Sequence, residues 1–334
     1  MQISVHLAII VEGTLLGRDH KFRDVLLTSS IAAGSMYVFN KIYGAHAVNR
    51  HKLQALAKNF FNWKGLNVYY ETKGSGSPLI LLHALHPAAS AYEWNLVIDQ
   101  LSQSHTVYVL DFPGCGRSDK PNTLYTNFYY VQFLRDFIRG LNLQGAVVCV
   151  SNLTSAVAVS AAVYEPELIS RIILVNPPSL RSLAEVPDSL SKGLCRILCL
   201  PLIGTFIYNI LASRPQIDMY FSEKYFYNPF HDTDDLVDTY FESAHLKDGC
   251  GRYFAASMIG KYLNCHLGYV LTKLSVPIKI IEGSSTDNAE LVLFEWKQAV
   301  SGIETAMIEH TKQLPMLEEP EKTAEEILKF CRGK

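Results

Sequence analysis

The stretch Ala146–Pro166, AVVCVSNLTSAVAVSAAVYEP, constrains the fold more than any other part of the chain. An apolar run, Ala146–Val150, meets a polar knot at Ser151–Ser155. A small-residue run then continues to Val163 and closes at Pro166. A short, fully apolar strand feeding a longer Ala-rich helix is a unit of a sheet covered on both faces. The knot between them is a sharp strand-to-helix turn.

The same pattern recurs along the chain. Leu79–Leu82, Thr106–Leu110, Val147–Val150, Ile172–Val175, Ile278–Glu282 and Thr305–Ile308 read as short strands. Tyr92–Leu101, Val131–Leu141, Ser155–Val163 and Glu318–Cys331 read as helices between or after them. Phe60–Glu71 reads as two strands around the Lys64-Gly65 turn. Strands alternating with helices predict an α/β fold with a doubly wound, mostly parallel sheet. Residues 179–268 break the alternation with several helices, punctuated by Pro187, Pro201, Pro215 and Pro229 and rich in aromatics. They predict an inserted helical cap over a pocket. The expected organisation is an N-terminal apolar segment over 1–58, a core over 59–178 and 269–334, and a cap over 179–268.

A chain of 334 residues that is 49% hydrophobic can bury a core of this size. Its net charge of −2 is spread without a basic stripe, which argues against a nucleic-acid partner. Seven cysteines stand in no C-x-x-C pair and no zinc spacing. They read as reduced thiols of a cytoplasmic protein, with no metal and no cofactor expected.

Val25–Phe39, VLLTSSIAAGSMYVF, carries no charge and is flanked by Lys21, Arg23 and Asp24 before and Lys41, Arg50 and Lys52 after. It is shorter than the roughly 20 apolar residues of a spanning helix. The first expectation is an amphipathic helix packed on the domain or lying on a membrane surface, with membrane contact through residues 20–45. A spanning anchor and a removed signal are the alternatives. The first seventeen residues carry no basic start and find no place in this scheme.

Asp111-Phe112-Pro113-Gly114-Cys115-Gly116-Arg117-Ser118-Asp119-Lys120-Pro121 closely resembles the D-x-x-G-x-G-x-S-x-x-P loop of the α/β-hydrolase fold superfamily. Leu79–His83 followed by Ala84 resembles that family's strand and oxyanion loop. Val175-Asn176-Pro177, Val276–Gly283 and Leu314–Glu321 resemble the strand ends and the segment after the catalytic histidine. The resemblance runs over roughly Phe60–Cys331. More narrowly, the chain is similar to the capped, haloperoxidase- or esterase-like branch and to α/β-hydrolase-like proteins of anaerobic Gram-positive bacteria.

The resemblance implies a nucleophile at the turn, usually in G-x-S-x-G, an acid after a later strand and a histidine near the end. Pro166, fourteen residues after Asn152, places Asn152 at the nucleophile position. Both flanking glycines are replaced, by Val150 and Thr154. Gln313 stands at the histidine position, before Leu314-Pro315. Thr286 occupies the usual acid position, and Asp287, one later, is the candidate acid. Asn176 is the alternative acid position and is also neutral. A carboxamide is a poor nucleophile, and glutamine does not titrate, so neither does the family's chemistry.

His310 is the candidate alternative base, and Ser151, with His83 or His86, the candidate relocated nucleophile. Ser155 reads as a helix cap and Cys149 as core. His83, Ala84, Leu85 and Leu153 are expected to line the pocket and its oxyanion loop, with Asn152 and the cap aromatics. Without a reactive serine to project, the turn is expected to relax its backbone strain. The leading expectation is a catalytically degenerate protein that binds a small apolar ligand or a partner. The alternatives are an enzyme, hydrolytic or not, with relocated residues, and a membrane-associated scaffold.

Overall fold

The computed structural model describes residues 2–49, 51–53, 59–230 and 233–333, with side chains from Phe22 onward. Of the expected N-terminal segment, Met1, Arg50 and 54–58 lie outside the described residues, as do 231–232 in the cap and Lys334.

Eight strands form one sheet in the order β1-β2-β4-β3-β5-β6-β7-β8. They are β1 (Asn59–Trp63), β2 (Leu66–Lys73), β3 (Ser77–Leu82), β4 (His105–Leu110), β5 (Ala146–Ser151), β6 (Ile169–Val175), β7 (Ile278–Gly283) and β8 (Glu304–Ile308). β1–β2 and β2–β4 pair antiparallel, and every later pair is parallel. The predicted doubly wound, mostly parallel sheet is therefore present.

The strands alternate side chains between two packed layers, as the period of two requires. Ile80 and Leu82, Val148 and Val150, Ile172 and Leu174, and Ile280 face one layer. Helices Asn127–Gly140, Thr154–Tyr164 and Ala289–Ala299 cover it through Phe133, Phe137, Ala158 and Trp296. Leu79 and Leu81, Cys149, Ile173 and Val175, and Ile281 face the other. Trp94 and the Pro320–Arg332 helix, through Ala324, Ile327 and Phe330, cover that one. Burial on both faces explains why these strands read as continuous apolar runs rather than alternating ones.

Two readings need correction. Tyr92–Leu101 is not one helix: a 3₁₀ turn, Ala91–Trp94, is followed by a short helix, Ile98–Leu101. The helix Ala289–Ala299 has no counterpart in the sequence reading. Its apolar residues are diluted by Glu290, Glu295 and Lys297.

Between β6 and β7 the chain runs through helices, including Ser189–Cys199, Ile203–Leu211, Arg214–Tyr220, Asp234–His245 and Gly251–Ile259. This is the expected helical insertion. The N-terminal helix, Gln2–Val48, docks on it through one stripe. Phe39 meets Phe206 at 5.2 Å, Tyr43 meets Phe241 at 5.7 Å, and Ala47 is fully buried. Asn40 donates to the Leu202 carbonyl and accepts from Asn209.

Further out, every residue from 22 to 32 is exposed. Val25, Leu26, Leu27 and Ile31 point to different sides at 100° per residue, with Thr28, Ser29 and Ser30 among them, so this part has no single apolar face. Among the described residues no single helix is long and apolar enough to cross a membrane. Ser189–Cys199 and Ile203–Leu211 reach that length only as a pair bent by 106°.

The Asp111–Pro121 loop pins the β4 end. Asp111 is fully buried and accepts from Ala91 N, Arg117 N and Arg117 Nε at 2.7–2.8 Å. Burial opposes its charge, but Arg117 holds the carboxyl below its usual range. Gly116 has φ +48°, and a Cβ there would meet Asp111 Oδ2 at 2.3 Å, so the site requires glycine.

Candidate active site

The C-terminal ends of β3, β5, β6 and β7 converge on Asn152. Ligand crevices of open α/β sheets lie at such strand ends. Asn152 N–H still bonds the Val175 carbonyl as the strand ends, and Ser155 N–H then bonds the Asn152 carbonyl as the helix begins. The reversal forces Asn152 to φ +48°. The expected relaxation of the turn is therefore wrong. The left-handed backbone is set by the strand-to-helix reversal, not by the nucleophile. Asparagine enters that region at less cost than most residues.

The missing glycines are accommodated. Val150 packs into the sheet core, and Thr154 Oγ1 donates to the His83 carbonyl at 2.7 Å. Ser155 does not cap the helix; its hydroxyl donates to the Asn152 carbonyl at 2.6 Å and ties the turn shut.

The Asn152 side chain spans two partners. Its Oδ1 accepts from Leu153 N–H at 2.7 Å, and its Nδ2 donates to Gln313 Oε1 at 3.1 Å. The first bond fixes the orientation of the amide, since only the oxygen can accept. The residue after the nucleophile position supplies an oxyanion donor in this fold. Here that N–H is already taken by Asn152 itself.

Gln313 is held from behind. Its N–H donates to the Tyr225 carbonyl, and Asn176 Nδ2 donates to the carbonyls of Lys312 and Gln313. Asn176 Oδ1 accepts from Gly283 N–H and Thr286 Oγ1. Asn176, also left-handed at φ +46°, is thus a staple between the β6 end and the Gln313 loop. Gly283 lets that loop close in: a Cβ there would sit 2.2 Å from the Lys312 carbonyl oxygen.

Two buried carboxyls flank the Asn152–Gln313 pair. Glu93 is 1% exposed and accepts from Ala84 N–H at 3.2–3.3 Å. Burial pushes it up to about 7, against the Ser151 hydroxyl and the Ala84 N–H, which favour the charged form. It lines a cavity of about 140 Å³ with Ala84, Leu85, His86, Ser151, Asn152 and Tyr240. Glu282, at the end of β7, is also 1% exposed, and burial alone pushes it up to about 8. It lines an open cleft of about 600 Å³ with Asn152, Leu153, Asn176 and Gln313.

Other candidates fare differently. Leu85 and Leu153 line the cavities, and Ala84 does so with its N–H engaged. Ser151 shares the small cavity with His86, and its hydroxyl makes no well-aligned hydrogen bond. His83 is not a pocket residue. It is fully buried, its Nε2 accepts from Phe112 N–H, and its Nδ1 therefore carries the proton donated to the Ala84 carbonyl. Burial pushes it down to about 4, so it is neutral and structural.

His310 is not near the site: it is exposed, its ring lies against Tyr227, and it lines none of the cavities that Asn152 lines. Asp287 sits exposed at the cleft mouth, 3.9 Å from Lys224, with no hydrogen bond to Gln313. Cys149 is core, as expected.

Glu93 and Glu282 escaped sequence reasoning. An acid beside a helix turn reads as surface. A carboxyl closing the strand Ile278–Ile281, apolar apart from Lys279, was the one available signal.

This sheet order and insertion are those of the α/β-hydrolase fold. The α/β hydrolase fold family model matches residues 77–192. A 2-hydroxy-6-oxo-6-(2'-aminophenyl)hexa-2,4-dienoic acid hydrolase of Metapseudomonas resinovorans is 30% identical over 138 residues, 41% of this chain and 48% of that protein. The chain thus matches about half the length of that relative. A cis-3-alkyl-4-alkyloxetan-2-one decarboxylase of Shewanella oneidensis is 26% identical over 62% of this chain and 68% of that protein. The solved structure of the CarC serine hydrolase of carbazole degradation superposes with a TM-score of 0.68 at 20% identity, covering 84% of this chain and 100% of that one.

Proposed function

We propose that this protein is a degenerate α/β-hydrolase-fold protein that binds a small apolar ligand at the Asn152 site and does not form an acyl-enzyme. The Asn152–Gln313 amide pair carries the reading. It stands where a nucleophile would meet its base, and neither amide can attack or titrate. The occupied Leu153 N–H removes a donor that would otherwise stabilise an oxyanion. The test is a p-nitrophenyl ester panel on wild type, Asn152→Ser, Gln313→His and the double variant. Wild type is expected to show no turnover above background. Ester cleavage by wild type that Ser151→Ala abolishes would overturn the reading.

A second reading has its own support. Ser151, His86 and Glu93 line one cavity, so a relocated hydrolytic centre has its parts within one space. It requires loss of wild-type turnover in Ser151→Ala and His86→Ala alike.

Membrane contact through the outer N-terminal helix is the companion proposal. Exposed apolar side chains project from more than one side of residues 25–32, at Val25, Leu26, Leu27 and Ile31, and no charge falls between Asp24 and Lys41. A protein partner covers one face of a helix, whereas lipid covers all of them. Flotation with phosphatidylcholine vesicles is expected to carry full-length protein upward and to leave Leu26→Lys/Ile31→Lys behind. Equal flotation of both would reject lipid contact by this segment.

A further inference from the structure

The open cleft beside Asn152 contains a carboxyl that nothing in the fold uses. Glu282 is 1% exposed, and its Oε2 has no hydrogen-bond partner. Among the described residues no cation lies close enough to perturb it, and burial is its one influence. A buried acceptor left unmatched forfeits its hydration without recompense, so such groups in native folds call for an explanation. The other charged groups facing the cleft are Arg181 from Leu180–Leu183, Asp287 from the loop after β7, and Glu295 from Ala289–Ala299. Glu295 is committed to Leu180 N–H, and Asp287 sits by Lys224. Arg181 is exposed at the rim. The lining thus holds three carboxyls against one guanidinium, with Leu153, Pro177, Leu291 and Val292 as its apolar wall.

We propose that this cleft binds a small apolar molecule bearing one ammonium group, whose N–H donates to Glu282 while Asn152 and Gln313 border the ligand. The inference rests on the reading of the site as a binding cleft. The ammonium supplies the donor that Oε2 lacks, and a charge-assisted bond in a buried site is about twice as strong as a neutral one. An acid or a neutral alcohol supplies no such charge. Binding converts a protonated Glu282 and an ammonium into a carboxylate–ammonium pair and releases one proton to solvent.

The experiment is isothermal titration calorimetry with n-hexylamine, n-hexanol and hexanoate in two buffers of different ionisation enthalpy. Hexylamine is expected to bind at least about tenfold more tightly than hexanol, with proton release at pH 6.5 and tighter binding at pH 8. Glu282→Gln and Glu282→Leu, each checked for native circular dichroism, are expected to lose that preference and the proton release. Equal binding of hexylamine and hexanol, no binding of hexylamine, or an amine preference that survives both substitutions would overturn the proposal. The readout is binding, so it stays separate from the ester assay: amine binding can fail while the chain remains non-hydrolytic, and esterase activity can appear with amine binding intact.

Discussion

Asn152 Nδ2 donates to Gln313 Oε1 at 3.1 Å across 161 residues of sequence. The two side chains meet as an amide pair, and neither of them titrates.

That pair makes Asn152 structural in two ways, which substitutions can separate. Asn152→Ala and Asn152→Gly both leave Gln313 Oε1 and Leu153 N–H without their partner. Only Ala must also hold a Cβ at φ +48°. Asn152→Ala is expected to lose about 1 kcal/mol more than Asn152→Gly in urea unfolding. Equal losses would show that the turn relaxes when its side chain goes.

Gly283→Ala tests how tightly the Gln313 loop is seated. Its Cβ would sit 2.2 Å from the Lys312 carbonyl oxygen. The backbone must move, and a destabilisation of about 1–3 kcal/mol is expected. Thermal unfolding reads it, and an unchanged Tm would count against the packing described.

Arg117→Ala leaves buried Asp111 without its charge partner. Breaking such a pair costs about 3–5 kcal/mol. Chemical unfolding of this variant checks the loop's structural role, and a loss under 1 kcal/mol would contradict it.

The buried carboxyls make stability fall with rising pH. Glu93 and Glu282 stand near 7 and 8 in the fold, against an ordinary 4.5. The native state binds more protons than the unfolded chain over that interval, so their contribution is complete below about 4.5 and is lost as pH rises through the folded values. His83, His86 and His245 are pushed down to about 4 and act only below their ordinary 6.5. Lys120, pushed down to about 8 from 10.5, acts only above that value. Between about pH 6.5 and 8 the carboxyls therefore decide the slope. Tm is expected to fall across that window in wild type and to fall less in Glu93→Gln/Glu282→Gln. Parallel profiles would show that neither group is protonated in the fold.

Much of the framework was legible because its signals are local. The five-residue run Ala146–Val150 and the eleven-residue loop from Asp111 depend on neighbours in sequence. Tyr92–Leu101 misled because its apolar residues serve a 3₁₀ turn and a separate short helix. His83 misled because a histidine beside an oxyanion loop reads as chemistry until both its nitrogens are seen to hold backbone.

The sequence by itself determined the strands, the turn at Asn152 and the amide side chains at Asn152 and Gln313, since residue type and spacing carry those. Only the tertiary structure decided that Asn152 and Gln313 close on each other, that Asn152 keeps a left-handed backbone, and that Glu93 and Glu282 are buried beside them. Burial and proximity are set by strand ends that meet only after the sheet has formed, and a carboxyl's protonation follows from what surrounds it rather than from its place in the chain.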